Sequence, residues 1–166
     1  MKILKKILIA LLLIFIAIQF FRPKKNTSTA ITANHIYSMY PASPEVKTIL
    51  DKACNDCHSN NTHYPWYAQV QPVTWWLNNH IKDGKRHLNF SEFGSSTIAR
   101  QYKKLEECND EVKEGEMPLN SYTWIHKNAI LTDKEKETLA YWVNAIRDSI
   151  KAKYPADSLV LPKKKA

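Results

Sequence analysis

The sequence predicts an all-α fold, and three observations support that class. Apolar residues recur every three or four positions in several stretches, which is the period of an amphipathic helix. Residues that cap helices stand at the ends of those stretches. No segment alternates apolar and polar residues as a half-buried strand does. The 166 residues leave room for one domain of ordinary size with terminal extensions.

The net charge of +8 is concentrated at the two ends of the chain. Nine of the 24 basic residues lie in 1–25 and 163–165, which contain no acidic residue. The other 15 are balanced by 16 acidic residues across 26–162. A basic nucleic-acid-binding domain is therefore not expected. Three glycines and three cysteines are also too few for a collagen or a disulfide scaffold.

Residues 1–22 have the layout of an export or anchoring segment. Lysines precede an apolar run over residues 7–18, and Arg22 and further lysines follow it. As a helix, residues 7–21 would extend about 22 Å, against roughly 30 Å for the hydrocarbon core of a bilayer. Snorkelling lysines and local thinning can accommodate the difference. We predict an uncleaved single-pass anchor in the inner membrane, and the alternative is cleavage at 28–30, which releases a periplasmic protein.

Residues 23–42 are rich in Thr, Asn, Ser and Pro, which predicts a tether between the anchor and the domain. The domain is expected over 43–153, and 154–166 form a basic tail. The first helix of the domain begins at Ser43-Pro44-Glu45, which supplies an N-cap residue, an N1 proline and a first-turn acid. Apolar residues at helical spacing then lead to Cys54.

The helix ends in Cys54-Asn55-Asp56-Cys57-His58, and Cys-x-x-Cys-His is the attachment signature of a c-type haem. Two cysteines three positions apart can reach the two vinyl groups on one edge of a porphyrin, and the adjacent histidine supplies the proximal imidazole. We predict one covalent haem c on Cys54 and Cys57, with His58 on the iron. A redox dithiol, a zinc site and a Cys54–Cys57 disulfide are the alternatives. Because thioether attachment in bacteria takes place outside the cytoplasmic membrane, the domain should face the periplasm.

Two helices are predicted after this motif. The first covers 72–83 and ends at Gly84 as a C′ glycine, with His80 on its apolar face. The second covers 96–114 and stops at Gly115, with Cys108 as a buried thiol.

The last predicted helix opens with a capping box from Thr132 to Glu135. Its apolar stripe consists of Leu139, Trp142, Val143, Ile146 and Ile150. A helix that ends in Cys-x-x-Cys-His and a C-terminal amphipathic helix that packs across it make the frame of a small cytochrome c, built around the haem.

Met117 is the predicted second axial ligand of the iron. It follows His58 by 59 residues, and Pro118 restrains it to an extended backbone that presents the thioether from a loop. His80 is the main rival, and the other candidates are His63, His87, His126 and an open site. Histidine and methionine together give a closed iron site with a raised reduction potential, which suits electron transfer.

The segment between the first two helices is rich in aromatic side chains. Tyr64, Trp66, Tyr67, Trp75 and Trp76 could wall a porphyrin or belong to an ordinary aromatic core. The basic turn Lys85-Arg86-His87 could meet the haem propionates or remain solvated.

These residues resemble the haem-binding domain family found in exported proteins of Bacteroidetes and related bacteria. The similarity covers most of 40–150 and includes Cys-Asn-Asp-Cys-His-Ser-Asn-Asn-Thr at 54–62, Tyr-Pro-Trp-Tyr at 64–67 and Glu-Met-Pro at 116–118. The resemblance implies haem attachment and export. Cys54, Cys57 and His58 match the motif positions directly, and Met117 fits the distal position.

The predicted function is single-electron transfer by a membrane-tethered periplasmic monohaem protein, with redox proteins of the periplasm or membrane as partners. A haem peroxidase and a haem-based sensor or docking module, each with a displaceable sixth ligand, are the alternatives. No Ser/His/Asp set, distinctive carboxylate pair or Gly-rich phosphate loop is present in the sequence, so a carrier is favoured over a catalyst.

Overall fold

The computed structural model describes residues 1–162, and the part of the predicted basic tail at 163–166 lies outside the described residues. Within this range the regular structure is helical, apart from one isolated bridge between Thr27 and Asn61. The all-α class is therefore confirmed. The α-helices are α1 (Lys2–Ile18), α2 (Ile36–Met39), α3 (Pro44–Ala53), α4 (Asn55–His58), α5 (Val73–His87), α6 (Ile98–Glu114), α7 (Asn120–Thr123) and α8 (Asp133–Lys153). Short 3-10 turns lie at Trp66–Gln69, Phe90–Ser95, Lys127–Ala129 and Ala156–Leu159.

The helix that leads to the motif starts as predicted. The Ser43 hydroxyl accepts a hydrogen bond from the Val46 N–H at 3.2 Å, which satisfies one of the free donors at the start of α3. Val46, Ile49 and Leu50 are buried on one side of α3. α3 therefore delivers Cys54 to the domain interior.

The two long helices α6 and α8 pack against each other and form most of the core with α3. α6 ends at Gly115, whose φ of 82° is the left-handed conformation that glycine adopts without strain. The capping box of α8 is present, because Thr132 Oγ1 accepts from the Glu135 N–H and the Glu135 carboxylate accepts from the Thr132 N–H. All five residues of the predicted apolar stripe of α8 are buried.

The predicted end of α5 at Gly84 is wrong, because the helix continues to His87. A Cβ atom at position 84 would lie 2.7 Å from the Cys57 carbonyl oxygen and 3.1 Å from the Cys57 Cβ. Glycine is therefore needed where α5 crosses α4 at close range, and it does not end the helix. A glycine that ends a helix and a glycine that allows two helices to cross closely cannot be distinguished in this sequence, because either one would follow a run of helically spaced apolar residues.

Gly84→Ala should destabilise the haem-loaded protein by about 1–3 kcal/mol, because the clash is with rigid backbone. This cost exceeds the gain of about 1 kcal/mol that alanine brings to a helix interior. Urea unfolding followed by tryptophan fluorescence measures the difference. Asn79→Ala, at an exposed position of the same helix, is the matched control and should leave stability unchanged or slightly higher. Equal stability of the two variants would contradict the close approach.

The segment 23–42 is packed on the domain, although its composition predicts a tether. Ile36 is fully buried in the core, and Asn26 is hydrogen-bonded to the loop that follows α4. At the other end, Tyr154 and Leu159 pack against the same core. Polar composition predicts solvation, but single apolar residues and backbone hydrogen bonds hold both segments in place.

The N-terminal helix α1 has 17 residues, none of them buried. In the described part of the chain, no helix combines the length and the apolar character that a bilayer crossing requires.

Candidate functional site

A cavity of about 310 Å³ lies between the α3–α4 junction, α5, α6 and the loop that connects α6 to α7. Cys54, Cys57, His58 and Met117, the four predicted cofactor-binding residues, all line it. Cys108 and Tyr122 also contribute to its wall. The cavity size is within the range of small-molecule and cofactor sites, about 300–1,000 Å³. The fold therefore brings together four predicted residues that are up to 63 positions apart in the sequence.

The two cysteines of the motif lie at a sharp change of chain direction. Cys54 has φ −128° and ψ −46°, so it ends α3 and begins the single turn of α4, which carries Cys57. Both are free thiols. Burial raises the pKa of Cys57 to about 11 and raises the pKa of Cys54 further, so both are uncharged at neutral pH. A reactive redox dithiol needs a lowered thiol pKa, so this environment does not favour that alternative.

His58 is held in one tautomer by the residue that follows α5. Its Nδ1 lies 2.9 Å from the Leu88 carbonyl oxygen. Because a carbonyl can only accept, Nδ1 carries the proton and donates it, which leaves the Nε2 lone pair for a metal. Burial lowers the pKa of His58, so the ring is neutral. A neutral imidazole oriented by a backbone carbonyl is the usual state of a metal-binding histidine.

Met117 is presented by the loop that follows the left-handed turn at Gly115. Its N–H donates to the Glu111 carbonyl at 3.1 Å, and its side chain packs against the core. The loop is also tied to the motif, because the Tyr122 hydroxyl donates to Asp56 Oδ2 at 2.7 Å. The other oxygen of Asp56 accepts from the His63 N–H at 2.8 Å. A residue inside Cys-x-x-Cys-His thus helps to hold the loop that carries Met117.

Asp56 and Tyr122 are functional residues that the sequence does not single out. They are 66 positions apart, and both residue types are common on surfaces, so no spacing rule connects them. An acid between the two cysteines was the one visible signal. The role of Asp56 becomes visible only in the folded chain, where the Tyr122 hydroxyl lies next to its carboxylate.

The rival histidines lie around two neighbouring cavities. His80 and His87 line the same cavity as Met117. The His80 Nδ1 bonds to the Trp76 carbonyl at 2.9 Å, and its ring packs against the Trp76 ring. His63 and His126 line a smaller neighbouring cavity, and His80 lies in the wall of both cavities. In the smaller cavity, His126 Nε2 lies 2.6 Å from the Tyr67 hydroxyl.

Of the two alternatives for the aromatic cluster, the structure does not support a wall around the motif cavity. None of Tyr64, Trp66, Tyr67, Trp75 and Trp76 lines this cavity, whose aromatic residues are Phe90 and Tyr122. These five side chains either pack against other parts of the domain or are exposed to solvent. Aromatic content alone does not predict which element a ring packs against. Arg86 does not line the cavity either, and its side chain pairs with Asp83 at 3.0 Å.

An all-helical domain that brings a neutral, oriented histidine and a methionine to one cavity has the features of a small helical haem protein. Comparison with known families agrees with this class. The model of the haem-binding domain family matches residues 13–145, and the chain belongs to that family. No curated protein and no solved structure matches the chain.

The cavity residues fit a haem in both chemistry and character. His58 supplies a nitrogen with a free lone pair, and Met117 supplies a soft thioether sulfur. Leu88, Phe90 and Val112 give the wall the apolar surface that a porphyrin ring buries. The thiols of Cys54 and Cys57 are uncharged, so they are compatible with this apolar wall.

Proposed function

We propose that the protein is a c-type monohaem carrier of single electrons, tethered to the inner membrane with its domain in the periplasm. The observation that carries the proposal is the convergence of Cys54, Cys57, His58 and Met117 on one cavity. Cys54 and Cys57 would hold the porphyrin through thioethers. His58 and Met117 would hold the iron.

A bound haem supplies a one-electron couple between ferric and ferrous iron. The chain's own residues would hold that couple in a closed site. The Leu88 carbonyl orients His58, and Asp56 holds the Met117 loop through Tyr122. If both residues held the iron, external molecules would be kept away from it, which would favour electron transfer over peroxide or gas chemistry.

Membrane tethering rests on the N-terminal segment. Lysines at the start of the exposed helix α1 precede its apolar run, a layout typical of export and anchoring. The periplasmic location follows from the proposed thioether attachment. Redox proteins of the periplasm or the membrane would be the partners, and the near-neutral charge of 26–162 implies that local patches guide any encounter.

Optical spectra of the full chain, produced in cells that attach haem c, test the proposal. We expect low-spin spectra in both oxidation states, a weak red sulfur-to-iron band in the oxidised protein, and no spectral change when carbon monoxide is added to the reduced protein. High-spin iron that binds carbon monoxide would instead indicate an open site and refute the carrier function.

A further inference from the structure

The chain directly after α1 is bonded to the start of α5. Gln71 is fully buried, and its backbone N–H donates to Gln19 Oε1 at 2.9 Å. The Gln71 side-chain Nε2 and the Trp75 indole N–H both donate to the Phe21 carbonyl, each at 2.8 Å. Because a buried amide without a partner is costly, these bonds make residues 19–21 part of the domain.

A second joint follows a few residues later, at Asn26. Its side-chain Nδ2 donates to the Ser59 carbonyl at 2.8 Å, and its own carbonyl accepts from the Thr62 N–H at 2.8 Å. Lys85 Nζ donates to Asn26 Oδ1 at 2.6 Å. Because these two hydrogen-bonded attachment points are only a few residues apart, no flexible segment separates α1 from the domain. The family model also begins at residue 13, inside α1, so the unit that defines the family includes this junction.

The surface beside the first joint is aromatic and basic. Phe20, Phe21, Arg22, Trp75 and Lys82 line one shallow groove, which we call the junction face. Phe20 is 82% exposed and Phe21 is 68% exposed, and Trp75 also reaches solvent. The described residues that line the groove include two cations and no acid. The face is continuous with α1, whose apolar side chains are exposed along the helix.

We propose that the junction face rests on the surface of an anionic phospholipid bilayer into which α1 inserts, a proposal that depends on the membrane tethering proposed above. Aromatic rings concentrate at the boundary between headgroups and acyl chains, and lysine and arginine are attracted to anionic headgroups. The 17 residues of α1 extend about 25 Å, less than the roughly 30 Å of a bilayer core. The short span draws its flanking residues into the interface.

Docking in this way fixes the orientation of the site. The loop bonded to Asn26 follows His58 directly in the sequence, so the motif is connected to the junction without a flexible segment between them. The domain is therefore held at a constant height and angle to the membrane and does not sample the periplasm on a tether.

Spin-label depth measurements on the full haem-loaded chain test the proposal in lipid nanodiscs that contain phosphatidylglycerol. A nitroxide at Asn79→Cys reports from the junction face, and one at Ser149→Cys, an exposed position of α8, is the control. We expect the label at position 79 to collide several-fold more with oxygen, relative to a water-soluble nickel complex, than the label at position 149. In discs of neutral lipid, or with Arg22→Gln and Lys82→Gln together, this difference should shrink.

Each of the other outcomes is decisive. If the chain does not enter the discs, the membrane tethering itself fails. If it enters the discs while both labels are equally open to the nickel complex, tethering stands and docking of the junction face is overturned. A label at position 79 that is shielded from both reagents would mean that protein covers this face, which also overturns lipid docking.

Discussion

Replacement of both Cys54 and Cys57 by alanine should abolish the covalent retention of haem. The two thiols line the wall of the cavity beside His58, and the described chain has one further cysteine there, Cys108. Haem-stained bands after denaturing electrophoresis measure the effect, which should be a complete loss. Each single replacement should leave a weaker band, because one thioether remains possible.

Cys108→Ala is the matched control for this experiment. Cys108 lines the same cavity and is partly buried, as Cys54 is, but it lies on α6, outside the motif. This variant should keep its haem-stained band. Retention of haem by the double variant, or its loss from the Cys108 variant, would contradict thioether attachment at the motif.

Met117→Leu should remove the red sulfur-to-iron band and lower the reduction potential. Leucine has nearly the volume of methionine, so the domain should still fold. Because axial ligands set haem potentials over roughly 0.8 V, we expect a fall on the order of 0.1 V. Redox titration and optical spectra measure both effects.

Met39→Leu provides the control, because this methionine is partly exposed on α2, away from the cavity. If Met117→Leu keeps the band and the potential of the parent protein, Met117 is not the ligand. The rivals His80 and His87, which line the same cavity, then become the candidates for the sixth position.

Tyr122→Phe tests whether the hydrogen bond between Tyr122 and Asp56 positions the Met117 loop, because it leaves Met117 itself unchanged. The variant keeps the ligand and the ring but removes the 2.7 Å bond to Asp56. We expect the sulfur-to-iron band to persist in part and the reduced protein to bind carbon monoxide slowly, because the loop can move away. Asp56→Asn should resemble it, whereas behaviour identical to the parent protein would show that the bond does not position the loop.

Local patterns were sufficient to predict several helices. The caps at Ser43 and Thr132 and the left-handed turn at Gly115 depend on residues within one turn of the chain. The Cys-x-x-Cys-His motif is equally local, since its spacing alone brings two thiols and an imidazole together. Such features can be read from a single sequence because the interacting groups are neighbours along the chain.

Other predictions failed where distant segments meet. The sequence predicts a helix end at Gly84, but this glycine permits the crossing of α5 over Cys57, 27 positions earlier. The polar composition of 23–42 predicts a tether, but Ile36 is buried in the core and Asn26 is bonded to the loop after α4. Composition carries no information on such contacts.

The all-α class, the capped helices, the haem-binding family and the residues predicted to hold the haem can all be inferred from the sequence. The contacts of the folded chain were needed to show that Met117 and two of the rival histidines line one cavity, that Asp56 is bonded to Tyr122, and that the chain after α1 is built into the domain. The physical reason is the range of the interactions. Caps, periodicity and the motif act within a few residues, whereas a cavity and its supports depend on contacts between residues that are 30 to 66 positions apart.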